Sequence, residues 1–62
     1  SATRIKALRE LSDYTVEEAA SELGVRVDEY YSYENGSQVP SPKKLTKIAK
    51  VLGVQPIQLL GG

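Results

Sequence analysis

Residues 15–36 read TVEEAASELGVRVDEYYSYENG, the most informative stretch of the chain. Thr15-Val16-Glu17-Glu18 is a capping box, in which the Thr15 hydroxyl accepts from the Glu18 amide and the Glu18 carboxylate reaches back to the Thr15 amide. Both glutamates also lie where the helix dipole favours negative charge. Ala19, Ala20 and Leu23 then share an inward face, and Gly24 suits the left-handed conformation that ends a helix. A second helix is expected from Val27 to Asn35, with Asp28 and Glu29 in its first turn and Asn35-Gly36 as its stop. Tyr30 and Tyr33, three residues apart, are expected in the core, and Tyr31 at the surface. The stretch is thus two short helices joined by a tight Gly-Val turn.

Working outward, Ile5, Leu8 and Leu11 recur at helical spacing among Arg4, Lys6, Arg9 and Glu10, with Thr3 as the expected cap. Ser12-Asp13-Tyr14 breaks that pattern. On the other side, Ser41-Pro42 reads as a cap followed by proline at the first helical position. Leu45, Ile48, Ala49 and Leu52 make a full apolar stripe, Lys43, Lys44, Lys47 and Lys50 lie opposite, and Gly53 ends the helix. Gln55-Pro56 opens a last short helix with Ile57 and Leu60 facing inward, and Gly61-Gly62 is a tail. Nothing alternates with period two over strand length. The expected architecture is all-α, a compact five-helix domain spanning residues 1–62, with helices at about 3–12, 16–23, 27–35, 42–52 and 56–60.

Composition excludes much. The 62 residues contain no Cys and no His, so there is no thiol nucleophile, no disulfide and no zinc-type ligand set, and neither a metal nor a cofactor is expected. No Ser/His/Asp set and no phosphate-cradling glycine loop is present, which argues against an enzyme and against a small-molecule substrate. A chain this short buries only about 60% of its unfolded surface, leaving little wall for a catalytic cleft. No apolar run approaches the roughly 20 residues of a bilayer span, so no membrane partner is expected and the expected location is the cytoplasm.

With these elements in order, the sequence resembles the DNA-binding domain of the lambda-type phage repressor and Cro family, also called the Xre family, a helix-turn-helix fold. The landmarks are Arg4-Ile5-Lys6-Ala7-Leu8-Arg9, Thr15 to Ala20, Leu23-Gly24-Val25, Tyr33-Glu34-Asn35-Gly36, Pro40-Ser41 and Leu45 to Val54. The resemblance implies that the third helix enters the major groove of double-stranded DNA while the second crosses the backbone. It places base contacts at Val27, Asp28 and Ser32, with Arg26 and Tyr31 alongside, and phosphate contacts at Val16, at the Ser37 and Gln38 amides, and at Lys43 or Lys44. Arg9 and Glu34 match a pair that joins the first helix to the end of the third. A homodimer on DNA is among the implied partners, with the dimerising or effector domain outside this chain.

The sequence also departs from the family pattern. Val16 stands where the family usually has Gln, and Arg26 replaces the usual Ser or Thr cap, at a cost of about 1 kcal/mol unless Asp28 compensates. Residues 15–34 hold six acids against one base, a net charge of −5, and the remainder holds seven bases against two acids. Two other readings therefore stand beside the transcriptional regulator. One is an engineered sequence on the repressor fold with no selected DNA binding. The other is a protein–protein interaction module using the acidic, tyrosine-rich face.

Overall fold

The computed structural model describes residues 1–60, and Gly61-Gly62, read above as a tail, lie outside the described residues. The elements are α1 (Ala2–Leu11), α2 (Val16–Leu23), α3 (Val27–Asn35) and α4 (Pro42–Leu52), followed by one 3₁₀ turn at Pro56–Leu59. No strand occurs among the described residues. The expected five-helix count is therefore corrected to four α-helices and a single 3₁₀ turn. Three residues after Gly53 the chain needs only a short closing segment, and tighter i→i+3 bonding suits such a piece.

Caps explain the boundaries. Ser1, rather than Thr3, caps α1, its hydroxyl accepting from the Arg4 amide at 3.3 Å. Thr15 and Glu18 close both halves of the capping box, at 3.0 and 2.9 Å. Ser41 caps α4 by accepting from the Lys44 amide at 3.1 Å, with Pro42 just inside. Each such cap contributes about 1 kcal/mol. Asp13 turns the chain after α1 at φ 60°, so here an aspartate performs the left-handed step that glycine performs elsewhere.

The core is built from Ile5, Ala19, Ala20, Leu23, Tyr30, Tyr33, Ile48, Ala49, Leu52 and Leu59, with Leu8, Val16, Val25, Leu45 and Val54 packed against it. Leu11 was expected inside and is 80% exposed. Successive residues on a helix turn by about 100°, so two steps of three residues carry Leu11 roughly 120° away from Ile5. The 3₁₀ turn differs in phase. Leu59 is fully buried, whereas Ile57 and Leu60 are exposed. In a 3₁₀ turn residues i and i+3 eclipse, and the inward row is half-buried Pro56 with buried Leu59. Three contacts fix that phase: the Ser1 ammonium donates to the Leu59 carbonyl, Arg4 Nη1 donates to the Gln58 carbonyl at 3.2 Å, and the Gln55 amide donates to Gln58 Oε1 at 2.8 Å. The first helix is thereby stitched to the last turn.

Candidate nucleic-acid interface

The turn between α2 and α3 sets the angle of α3. Gly24 adopts φ 78°, and the amides of Gly24 and Val25 both return to the Ala20 carbonyl, at 2.9 and 3.1 Å. Val25 then packs against the core while Arg26, in extended backbone, starts α3 without a side-chain cap. A Cβ on Gly24 would meet nothing within 4 Å, so the requirement there is the positive φ alone. From this start α3 buries Tyr30, Tyr33 and Glu34 and turns Val27, Asp28 and Tyr31 to solvent, with Glu29 and Ser32 half-buried at the margin.

One shallow surface bowl gathers Arg26, Asp28, Glu29, Ser32 and Gln38. Four of these were expected to contact DNA, and the structure brings them together at the first half of α3. Arg26 Nη2 lies 3.2 Å from Asp28 Oδ2, and Asp28 Oδ1 accepts from the Glu29 amide at 2.9 Å. The Ser32 hydroxyl stands between two acceptors, the Glu29 carbonyl and Gln38 Oε1, the latter at 2.9 Å. Val27 and Tyr31 are exposed on the same helix outside the bowl.

The other expected contacts fare differently. Val16 is half-buried and packed against the core, so it works as an apolar anchor for the start of α2. The Ser37 amide donates to Asn35 Oδ1 at 2.8 Å and the Gln38 amide to the Ser32 carbonyl at 3.2 Å. Both amides expected to meet phosphate are thus engaged within the loop, because Asn35 closes a side-chain turn over it. Lys43 is exposed, whereas Lys44 Nζ lies 3.8 Å from Glu29 Oε2. That same Glu29 oxygen accepts from Tyr33 OH at 2.8 Å. Burial, with Glu29 second, pushes the Tyr33 phenol above its ordinary range. Glu29 therefore holds Tyr33 one turn on within α3 and meets Lys44 of α4, and only the second contact lies beyond what helical spacing could assign.

Arg9 and Glu34 form a two-pronged pair: Nε to Oε2 at 2.6 Å and Nη2 to Oε1 at 3.2 Å, while Nη1 donates to the Tyr14 carbonyl at 2.8 Å. The two side chains are 11% and 2% exposed. The hydrogen bond to Glu34 holds the guanidinium above its ordinary pKa against the opposing effect of burial. Beside them the Tyr30 hydroxyl is buried with no hydrogen bond of good geometry. Burial first, then the nearby Glu34 carboxylate, raises that phenol well above its ordinary range.

These pairings revise the charge count. Setting Arg9 against Glu34 and Lys44 against Glu29 brings the −5 of residues 15–34 to −3, which is the sum of Glu17, Glu18 and Glu22 once Arg26 offsets Asp28. Glu22 in turn lines a separate depression with Tyr14, Lys47 and Lys50. The acidity of α3 is thus answered by paired cations, while Glu17 and Glu18 remain exposed at the start of α2.

Among the described residues no group of three or more His, Cys, Asp or Glu is arranged to hold a metal ion, and no helix is long and apolar enough to cross a membrane. The family described as helix-turn-helix matches residues 5–59. The chain is similar to the cryptic phage CTXphi transcriptional repressor RstR of Vibrio cholerae, 36% identical over 58 residues, covering 94% of this chain and 52% of the relative. It is also similar to the SPbeta prophage-derived uncharacterized HTH-type transcriptional regulator YonR of Bacillus subtilis strain 168, 37% identical over 59 residues, covering 95% of this chain and 55% of the relative. The chain spans about half the length of these curated relatives. No solved structure gives a significant match. Neither the engineered-sequence reading nor the interaction-module reading is favoured by these likenesses. From the matched span and the all-α architecture, the chain belongs to the helix-turn-helix family of the lambda-repressor-like type.

Proposed function

We propose that this chain is the DNA-binding domain of a transcriptional regulator, with α3 in the major groove and α2 across the backbone. The observation that carries the reading is the convergence of Arg26, Asp28, Ser32 and Gln38 on the exposed first half of α3, on a helix-turn-helix scaffold. Side chains in that position reach base edges, and contacts of flanking residues to phosphate fix the register. Lys43 supplies phosphate-facing charge, and Lys44 joins it when it leaves Glu29. The chain acts by binding, with no reaction of its own.

A second copy of the chain completes the site, since two domains on half-sites one helical turn apart gain affinity that one lacks. Supporting this is an apolar groove lined by Ala2, Tyr33, Val39, Pro40, Pro56 and Leu60, in which Val39 and Leu60 stand exposed. Gln38 lines both this groove and the recognition bowl, so a partner seated here lies beside the DNA-facing surface.

The test is titration of the 62-residue chain with duplex DNA at about 20 mM salt and upward. Each phosphate neutralised contributes about −0.9 to the slope of log K against log salt, so two to four basic contacts per domain give roughly −2 to −4. Absence of binding at the lowest salt contradicts the proposal.

A further inference from the structure

Resting on the DNA-binding reading, we infer that Arg26 reads a guanine in the major groove and that Asp28 is its positioning residue. Arg26 and Asp28 stand two residues apart at the start of α3, with side chains 84% and 72% exposed. The guanidinium is held through Nη2 by Asp28 Oδ2, and Asp28 is itself fixed to the helix through Oδ1 and the Glu29 amide. One N–H of Arg26 is thereby engaged while the rest of the planar fork remains free, and a free edge of that fork matches the O6 and N7 acceptors of guanine.

Two further features point the same way. An exposed ion pair contributes little to stability, and Arg26 occupies the position where a short hydroxyl side chain would cap the helix and makes no cap bond. Asp28 serves the start of α3, since its Oδ1 takes a first-turn amide that no cap satisfies, but Arg26 adds little to that and is left for another use. It is also ill suited to serve as a general phosphate anchor, because Asp28 cancels the charge that a phosphate would seek. What remains is orientation: a neutral pair with its donors aimed outward recognises an acceptor pattern rather than a field. Ser32 and Gln38, bonded to one another on the far side of the same bowl, keep the space beside the fork polar.

The experiment is enrichment of duplexes from a random library at low salt, performed with the wild-type chain, Arg26→Lys and Asp28→Asn, each checked for helicity by circular dichroism. The wild type is expected to enrich a motif containing a guanine position. Arg26→Lys, which keeps the charge but loses the fork, should lower the preference for guanine there by about tenfold or more. Asp28→Asn should lower that preference severalfold while tightening binding to unrelated duplexes, a split that a purely structural or purely repulsive aspartate would not give. The inference is overturned if Asp28→Asn strengthens binding to all duplexes alike with the guanine preference intact. It is equally overturned if Asp28→Asn removes a cytosine preference that Arg26→Lys leaves untouched, since Asp28 would then read cytosine itself. Binding without enrichment of any motif likewise overturns the inference, whereas failure of the wild type to bind any duplex at low salt would contradict the DNA-binding proposal itself, so the two failures are distinguishable.

Discussion

Removing Arg9 alone should nearly unfold this domain, whereas removing Arg9 and Glu34 together should not. In Arg9→Ala the Glu34 carboxylate, 2% exposed, loses both guanidinium contacts, and the Tyr14 carbonyl loses its donor. Stripping one partner from a buried pair costs about 3–5 kcal/mol, because the remaining charge stays desolvated and uncompensated. A domain of this length has roughly 3–9 kcal/mol of total stability. Arg9→Ala should therefore consume most of it. The double variant Arg9→Met with Glu34→Met leaves apolar groups of similar length in the same space, and such replacements are close to neutral. Urea unfolding followed by circular dichroism, across wild type, the single variants Arg9→Met and Glu34→Met and the double, gives the coupling energy directly. A coupling of about 2 kcal/mol or more is expected, with m unchanged. Single variants costing under about 1 kcal/mol, or a double variant as damaged as the worse single one, would refute the assignment of this pair as a buried lock between α1 and α3.

The two core tyrosines should behave oppositely on conversion to phenylalanine. Tyr30→Phe removes a buried hydroxyl that has no well-formed bond and should be neutral or stabilising by up to about 1 kcal/mol, while Tyr33→Phe breaks the bond to Glu29 and should cost about 1–2 kcal/mol in the same urea series. Alkaline pH should unfold the chain. Both phenols are raised in the folded state, so the folded chain holds its protons more tightly than the unfolded one, and stability is full below the ordinary tyrosine pKa of about 10 and falls as pH rises above it. Circular dichroism against pH reports this, and Tyr30→Phe should weaken the dependence. Finally, Glu29→Ser should lower stability by about 1 kcal/mol by releasing Tyr33 and Lys44, even though it removes an acid from the DNA-facing side. A stability gain from that variant in urea unfolding would show that the link is not a link.

What was legible in the sequence is what depends on near neighbours. Thr15 with Glu18, Gly24 and the stripe from Leu45 to Leu52 each carry their meaning within a turn or two, and the structure uses them in that way. The phase of the last turn was not legible, because it is set by Ser1 and Arg4, more than fifty residues away in the chain. Leu11 illustrates another limit: spacing of three sustains a face for one step and leaves it on the second. The charge count misled for the same nonlocal reason. Net charge by position along the chain is blind to partners, and Glu34 and Glu29 are answered by Arg9 and Lys44 from outside residues 15–34. Nor does loop position show that the Ser37 and Gln38 amides bond Asn35 Oδ1 and the Ser32 carbonyl.

The first half of α3 and the loop after it form the proposed DNA-facing surface. Amide chemical-shift mapping of the ¹⁵N-labelled chain during titration with duplex tests it residue by residue. The largest changes are expected from Arg26 to Ser32 and at Ser37 and Gln38, with the Lys47 and Lys50 side of α4 little affected. Changes concentrated instead around Glu22, Lys47 and Lys50, or none at low salt, would contradict it.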